Sequence, residues 1–308
     1  MKKIVIIGVI ILTLLVVAVV GGSFFMLSYS LAPNAERQST DMYLQRQFKD
    51  YPETQEWVDS LRRVNALRDT VITMPTGERH QGYYIHHGGQ KTAIVVHGWR
   101  DCAVRYFFLA RMYERDFGYN VVVPNLHAHG LSDGDAIQMG WLDRKDVMVW
   151  LQTYKTDTMV VHGVSMGGAT TMMLSGEKMP DGVKDVRFVD DCGYTSVWDE
   201  FAVQLKDQFG LPAFPLMYST SLLSKLRYGW SFGEASALEQ VKKCRYPMLF
   251  IHGEKDTFVP TEMVHRLYDA KTGVKELWIA KGSGHARSFY DHPQEYTKRV
   301  GQFLGVGK

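Results

Sequence analysis

The sequence predicts an α/β protein with a mainly parallel sheet and helices on both faces, on three observations. Short apolar runs alternate with helical segments from Asp69 to Leu304, the pattern of strands joined by right-handed crossovers. Some runs, such as Thr92-Ala93-Ile94-Val95-Val96, are apolar at successive positions, which suits strands buried on both faces. The third is Gly163-Val164-Ser165-Met166-Gly167, a G-x-S-x-G between the run Met159-Val160-Val161 and the small residues Gly168 to Thr171. A serine on so sharp a strand-to-helix turn projects above the carboxyl edge of the sheet. A solvated serine in a glycine-rich turn would give the same five letters, so the remaining elements must decide.

Length and composition set the bounds. The 308 residues, 45% hydrophobic and 22% charged, can bury one substantial core, with room for an insertion. A formal net charge of +2 and no basic stripe exclude a nucleic-acid partner. No internal repeat and no low-complexity tract is found. The cysteines Cys102, Cys192 and Cys244 are odd in number and lack C-x-x-C spacing, so they are expected as buried free thiols rather than a disulfide framework.

Residues 1–31 read as an uncleaved signal anchor. Lys2 and Lys3 precede an uncharged run from Ile4 to Leu31, longer than the ~20 apolar residues that span a bilayer. A cleaved signal has an apolar core of roughly 7–15 residues and a small-residue cleavage site, whereas Gly21-Gly22-Ser23 here runs into Phe24-Phe25-Met26. The two lysines keep the N-terminus cytoplasmic and send Pro33 onward outside. The expectation is a single-pass protein of the cell membrane with its main domain outside the cytoplasm. Residues 32–66 are expected as a juxtamembrane stalk and leading helix, with Trp57, Val58 and Leu61 among its sparse apolar residues.

Residues 67–308 form the main domain. Val71-Ile72-Thr73-Met74 and Gln81 to Ile85 read as two antiparallel leading strands joined through Pro75-Thr76-Gly77. The Thr92–Val96 strand ends in His97-Gly98-Trp99-Arg100, and a helix over Val104 to Phe117 follows. Tyr119 to Pro124 is the next strand and runs into the loop Asn125 to Gly134; Met139 to Thr153 has helical periodicity. After the serine turn, Val186 to Val189 ends in Asp190-Asp191-Cys192-Gly193. Met248 to Ile251 and Glu276 to Ile279 are the last strands, with helices over Thr261 to Ala270 and Pro293 to Leu304. Between them, 195–243 is long, aromatic and broken at Leu211-Pro212 and Phe214-Pro215, and is expected as a helical cap over the site. Most of its aromatics would form its own core, and a few would line an apolar pocket.

Serine needs a base, and the base needs an orienting acid. Downstream of Ser165, the strand ending in Ile251 leads into His252-Gly253-Glu254-Lys255-Asp256, and the strand ending in Ile279 leads into Gly282-Ser283-Gly284-His285. Asp256 and His285 are therefore expected at the same sheet edge as Ser165, in the order Ser, Asp, His. Competing candidates are His252 as base and Glu254, Asp190 or Asp191 as acid. His252 and His97 sit at strand ends and suit loop hydrogen bonds, and Asp190 and Asp191 end a strand beside the serine strand. His127 and His129 lack metal-ligand partners at suitable spacing and are expected to order their own loop; His86-His87 is a surface strand end. No metal site is expected. The oxyanion donors would be the backbone N–H groups of Met166 and of Trp99.

The HG-W-R turn, the H-G-L-S-D-G loop, G-V-S-M-G-G, G-E-K-D-T-F-V-P and G-S-G-H together resemble the α/β-hydrolase superfamily, over roughly Asp69 to Leu304. Within it the chain looks most like bacterial membrane-anchored, capped serine hydrolases of the Bem46-type and prolyl-oligopeptidase-like esterase group. The resemblance implies an α/β-hydrolase fold with a mostly parallel eight-stranded sheet. It also implies a hydrolase without cofactor, with Ser165, Asp256 and His285 at the matching positions. An extended H-G-G-G loop and a propeller domain are both absent, which disfavours hormone-sensitive-lipase-like esterases and a full prolyl oligopeptidase. The expected substrate is a small-molecule or lipid acyl ester or thioester. An aminopeptidase would need an acidic anchor in the cap, for which Asp199, Glu200 and Glu234 are available. A non-catalytic membrane-tethered binding protein on the same scaffold is the third reading.

Overall fold

The computed structural model describes residues 2–306; Met1 of the apolar segment and Gly307-Lys308 of the main domain lie outside them. In chain order the helices are α1 (Lys2–Leu31), α2 (Thr40–Asp50), α3 (Glu53–Arg63), α4 (Phe107–Arg111), α5 (Asp143–Thr153), α6 (Met166–Ser175), α7 (Val197–Phe209), α8 (Leu216–Tyr228), α9 (Ala237–Val241), α10 (Glu262–Ala270), α11 (Ser288–Asp291) and α12 (Pro293–Leu304). The strands are β1 (Leu67–Thr73), β2 (Arg79–Ile85), β3 (Lys91–Val96), β4 (Asn120–Pro124), β5 (Thr158–Val164), β6 (Asp185–Asp191), β7 (Met248–Gly253) and β8 (Lys275–Ala280).

The eight strands form one sheet in the order β1-β2-β4-β3-β5-β6-β7-β8. The β1–β2 and β2–β4 pairs are antiparallel and the rest are parallel. Side chains alternate between two cores, as the pleat requires. Ile94 and Val96 of β3 face the layer that holds α5, α6 and α10, while Ala93 and Val95 face the layer that holds α3, α4 and α12. Burial on both faces explains the unbroken apolar runs in these strands. β5 sits centrally, between β3 and β6, so the turn that follows it is held on both sides.

Caps written in the sequence set the helix ends. Ser196 accepts from the Asp199 N–H at the start of α7, and Gly210 ends that helix in the left-handed region. Gly229 and Gly305 close α8 and α12 in the same way, and Pro293 opens α12. The helix expected over Val104 to Phe117 is a 3-10 turn, one α-helical turn and a wide turn in succession. The helix expected from Met139 begins only at Asp143, because Met139 and Gly140 both take positive φ.

Residues 32–66 differ from a stalk. They hold two helices rather than one, and Tyr43, Trp57, Val58 and Leu61 are buried in the second core. The Trp57 indole donates to Glu114 at 2.9 Å. The segment is apolar at few positions, but those positions share a face, which is sufficient to dock it.

The first helix is also more than a free span. It is long and apolar enough to cross a membrane, and its side chains from Ile4 to Val17 are exposed. From Val19 onward one face, including Ser23, Leu27 and Leu31, turns against the domain. Ile137 donates its N–H to the Leu31 carbonyl at 2.7 Å, and Ser23 and Ser219 share a hydrogen bond of 2.6 Å. The three cysteines are free and buried.

Candidate active site

Ser165 opens α6 at φ 58° and ψ −118°, a region that a non-glycine residue occupies only under constraint. The constraint is visible in its neighbours. A Cβ on Gly163 would overlap the Gly167 carbonyl, and one on Gly167 would overlap the Val96 carbonyl. The Ser165 N–H donates to the Asp191 carbonyl at 2.8 Å, which pins the turn to β6.

Two loops bring the other groups to this edge. Glu254 and Lys255 donate backbone N–H groups to Ala280 and Ser283, at 3.0 and 2.8 Å, so the loop after β7 lies along the loop after β8. Asp256 then meets His285, with Oδ2 2.7 Å from Nδ1, and His285 Nε2 lies 2.8 Å from Ser165 Oγ. Asp256 Oδ1 accepts from the Phe258 and Val259 N–H groups, each at 3.0 Å. Burial alone would raise the Asp256 pKa, but hydrogen bonds from His252 and His285 outweigh it and hold it at about 2. The carboxylate is therefore ionised, and its partner His285 has its Nδ1 proton fixed toward it. The Phe258 ring lies tilted against the imidazole, with 4.8 Å between ring centres.

The competing groups take other partners. His252 Nε2 donates to the Val259 carbonyl at 2.9 Å and lies 3.3 Å from Asp256 Oδ2, so it braces the acid and does not reach Ser165. Glu254 caps the Gly282 N–H at 2.8 Å. Asp190 accepts from Gly193 and Asp191 accepts from the Tyr296 hydroxyl at 2.9 Å. Burial pushes their pKa values up to about 7 and about 6, opposite to Asp256. Tyr296 also lies 2.8 Å from His162 Nε2, and Tyr113 lies 3.0 Å from His162 Nδ1. A buried polar chain thus runs from β5 to α12 behind the serine. His97 Nε2 accepts from Leu126, and His129 Nε2 accepts from Arg100. His127 contacts the Ala136 carbonyl and Glu78. All three order loops. His86 and His87 are exposed just past β2.

Cys192 is the nearest additional ligand-type group, its sulfur within 4.8 Å of the Asp256 and His285 ligand atoms. Burial first, then the surrounding carboxylates, push its pKa well above the usual thiol range.

Among the described residues, the backbone N–H groups of Met166 and Trp99 have no protein acceptor. Both residues line a cleft together with Ser165, Met139, Phe201 and Phe258, and its mainly apolar lining suits a small apolar ligand. Glu200 also lines it, is buried, leaves Oε2 unpartnered, and is pushed by burial up to about 8. The other two acids named for an amine anchor lie elsewhere. Asp199 pairs with Arg266, and Glu234 is exposed and bonded to Lys225 and Ser231, which hold it down to about 2. No motif or spacing in the first 31 residues signals that α1 reaches this cleft. Tyr29 and Ser30 line it, and the Trp99 indole donates to the Ser30 carbonyl at 2.9 Å.

A strained serine turn at the carboxyl edge of an eight-stranded, mainly parallel sheet defines an α/β hydrolase. The chain belongs to the alpha/beta hydrolase family, whose model matches residues 93–299. It is 28% identical over 260 residues to the uncharacterized protein YqkD of Bacillus subtilis, covering 82% of this chain and 84% of that one. It is 23% identical over 251 residues to the uncharacterized protein YfhR of Escherichia coli O157:H7, covering 78% and 81%. Among solved structures it is similar to the Pyrococcus furiosus esterase Pf2001, with a TM-score of 0.61, 25% identity and coverage of 78% and 93%. An esterase from Exiguobacterium antarcticum shares the fold, with a TM-score of 0.56 at 16% identity and coverage of 77% and 100%.

Proposed function

We propose that the protein is a membrane-anchored serine hydrolase that cleaves carboxylic esters or thioesters of apolar acyl groups through Ser165, His285 and Asp256. One observation carries the reading: the unbroken relay from Ser165 Oγ through His285 to Asp256, at 2.8 and 2.7 Å, beside a mainly apolar cleft. His285 Nε2 takes the Ser165 proton as Oγ bonds to the acyl carbon. The Met166 and Trp99 N–H groups hold the oxyanion, and Asp256 stabilises the imidazolium. The imidazolium then protonates the leaving alcohol or thiol as its bond to the acyl carbon breaks. Water, deprotonated by the same imidazole, releases the acid and restores Ser165. The likeness to the Pyrococcus furiosus esterase Pf2001 supports the bond type.

Length, apolarity and the Lys2-Lys3 flank support α1 as an anchor, with the domain outside the cytoplasm, and the helices of 195–243 as a cap. Glu200 is the observation that favours an aminopeptidase. Burial pushes that carboxyl up to about 8, however, which weakens it as a countercharge for an amine and supports the ester reading.

A fluorophosphonate probe should label the wild type, and labelling should vanish in Ser165→Ala and fall sharply in His285→Ala. Persistent labelling of Ser165→Ala would overturn the assignment, and an unlabelled wild type would favour a non-catalytic binding protein. Turnover of aminoacyl amides in preference to acyl esters would select the peptidase.

A further inference from the structure

We infer that α1 is a wall of the substrate site as well as an anchor, and that the cleft at Ser165 continues along it to take the acyl chain of a lipid directly from the bilayer. This rests on the serine hydrolase reading above.

The first support is continuity. Beside the Ser165 cleft lies a second, narrow hollow, lined by Met26, Leu216, Met217, Thr220 and Phe232. Tyr29, Ser30, Phe201, Gln204 and Gln208 line both, so the two share one wall, and the proposed passage crosses it to the seam between α1 and α8. The seam is mostly apolar, as an acyl chain requires.

The second is the attachment of α1 to the reacting edge. Trp99, whose N–H is an oxyanion donor in the proposed mechanism, bonds through its indole to the Ser30 carbonyl. The Arg100 guanidinium donates to the carbonyls of Tyr29 and Ala32, at 2.8 and 3.2 Å. The Tyr29 hydroxyl donates to Gln208 of α7 at 2.7 Å. The end of α1 is thus fixed to the loop after β3 and to the insertion together.

The third is depth. A hydrocarbon core about 30 Å thick takes about 20 helical residues, and counted from Ile4 these end at Ser23. Gly22 and Ser23 are already in contact with α8, at Leu216 and Ser219. The beginning of α8 therefore sits at the edge of the hydrocarbon when α1 spans it. Phe24, Phe25 and Tyr29 then fall at headgroup depth, where aromatic residues concentrate. The insertion is built for the same place: Phe214 is 72% exposed and Leu226 77%, with Tyr218 and Leu222 between them on the same side of α8. So large an apolar row on a water-facing surface would be a liability, and the occupant it fits is lipid.

The test uses the full chain in nanodiscs of phosphatidylethanolamine and phosphatidylglycerol. An alkyl fluorophosphonate with a diazirine at the chain end is attached at Ser165 and irradiated. Cross-links should map to residues 22–30 of α1 or to the first turn of α8; cross-links confined to other elements would overturn the inference. In parallel, turnover of bilayer-dissolved methylumbelliferyl oleate is compared with that of aqueous methylumbelliferyl butyrate. Met26→Trp, which fills the passage, should lower the oleate-to-butyrate ratio at least about tenfold, the scale of a lost apolar pocket contact. Val17→Trp, on the free part of α1, should leave the ratio unchanged. A ratio that survives Met26→Trp, with Ser165 still labelled, refutes the passage and leaves the hydrolase reading intact. No labelling of the wild type at Ser165 refutes the hydrolase reading and this inference together.

Discussion

Replacing Asp256 by Asn tests the relay at its least ambiguous point. The two carboxylate oxygens have different partners: Oδ1 accepts from two backbone N–H groups, and Oδ2 faces His285 Nδ1 at 2.7 Å and His252 Nε2 at 3.3 Å. An amide has one acceptor and one donor end. Its oxygen must stay with the Phe258 and Val259 N–H groups, since the opposite orientation would set an NH₂ against two donors and leave both unpaired. The NH₂ then faces His285, which can pair with it only by presenting a bare Nδ1. The proton moves to Nε2, so the imidazole donates to Ser165 and cannot act as its base. The geometry is preserved and the tautomer is wrong, a change that costs about 10⁴ in kcat, or about 5.5 kcal/mol. Hydrolysis of p-nitrophenyl butyrate, with kcat and KM resolved, should show the loss in kcat and little change in KM. Asp191→Asn retains an acceptor for Tyr296 and should stay within a fewfold of wild type. Full activity in Asp256→Asn with abolished activity in Asp191→Asn would refute the reasoning and move the acid to β6.

Three further outcomes are expected. Gly167→Ala drives a Cβ into the Val96 carbonyl and should cost more than about 4 kcal/mol or prevent folding, read by urea denaturation or soluble yield. Trp57→Ala empties a buried site and leaves Glu114 without its indole donor, for an expected loss of about 3–5 kcal/mol; a change under 1 kcal/mol (roughly the median for point substitutions) would mean that residues 32–66 are a detached spacer. Glu200 is protonated more readily in the folded chain, with a pKa of about 8, than when unfolded. Its contribution to stability is thus present below the ordinary carboxyl range and is lost as pH rises through about 8. Glu200→Gln should gain in Tm relative to wild type between pH 5 and pH 9, and a difference independent of pH would contradict the assignment.

The parallel sheet was legible because strands buried on both faces are written as unbroken apolar runs, and β3, β5 and β7 each declare themselves this way. The loops at one sheet edge followed from chain order alone, since successive parallel strands all end on the same side. What was less legible depends on contacts remote in sequence. Tyr43, Trp57 and Leu61 are too sparse to mark a docked face until the helix before β4 is there to receive them. His252 looks like a loop histidine from its neighbours, and only the fold sets its Nε2 near the Asp256 carboxylate. Glu200 was one of three equal acids until burial in the cleft separated it from Asp199 and Glu234. In the first thirty residues, composition masked the packed face: apolarity on every side reads as lipid contact throughout, while from Val19 onward one side meets protein.

In the proposed reading Met26, Tyr29 and Ser30 serve two purposes within a single helix, and the same substitutions are therefore judged on both. A foreign apolar helix of equal length grafted onto Ala32 would deliver the domain to the same compartment and yet leave the cleft open along one flank. Drift that is harmless in an ordinary tether, where any oily residue replaces any other, is not neutral in the last three turns of this one. Variation among natural versions of the chain should accordingly be uneven along the helix, free before Val17 and restrained after it.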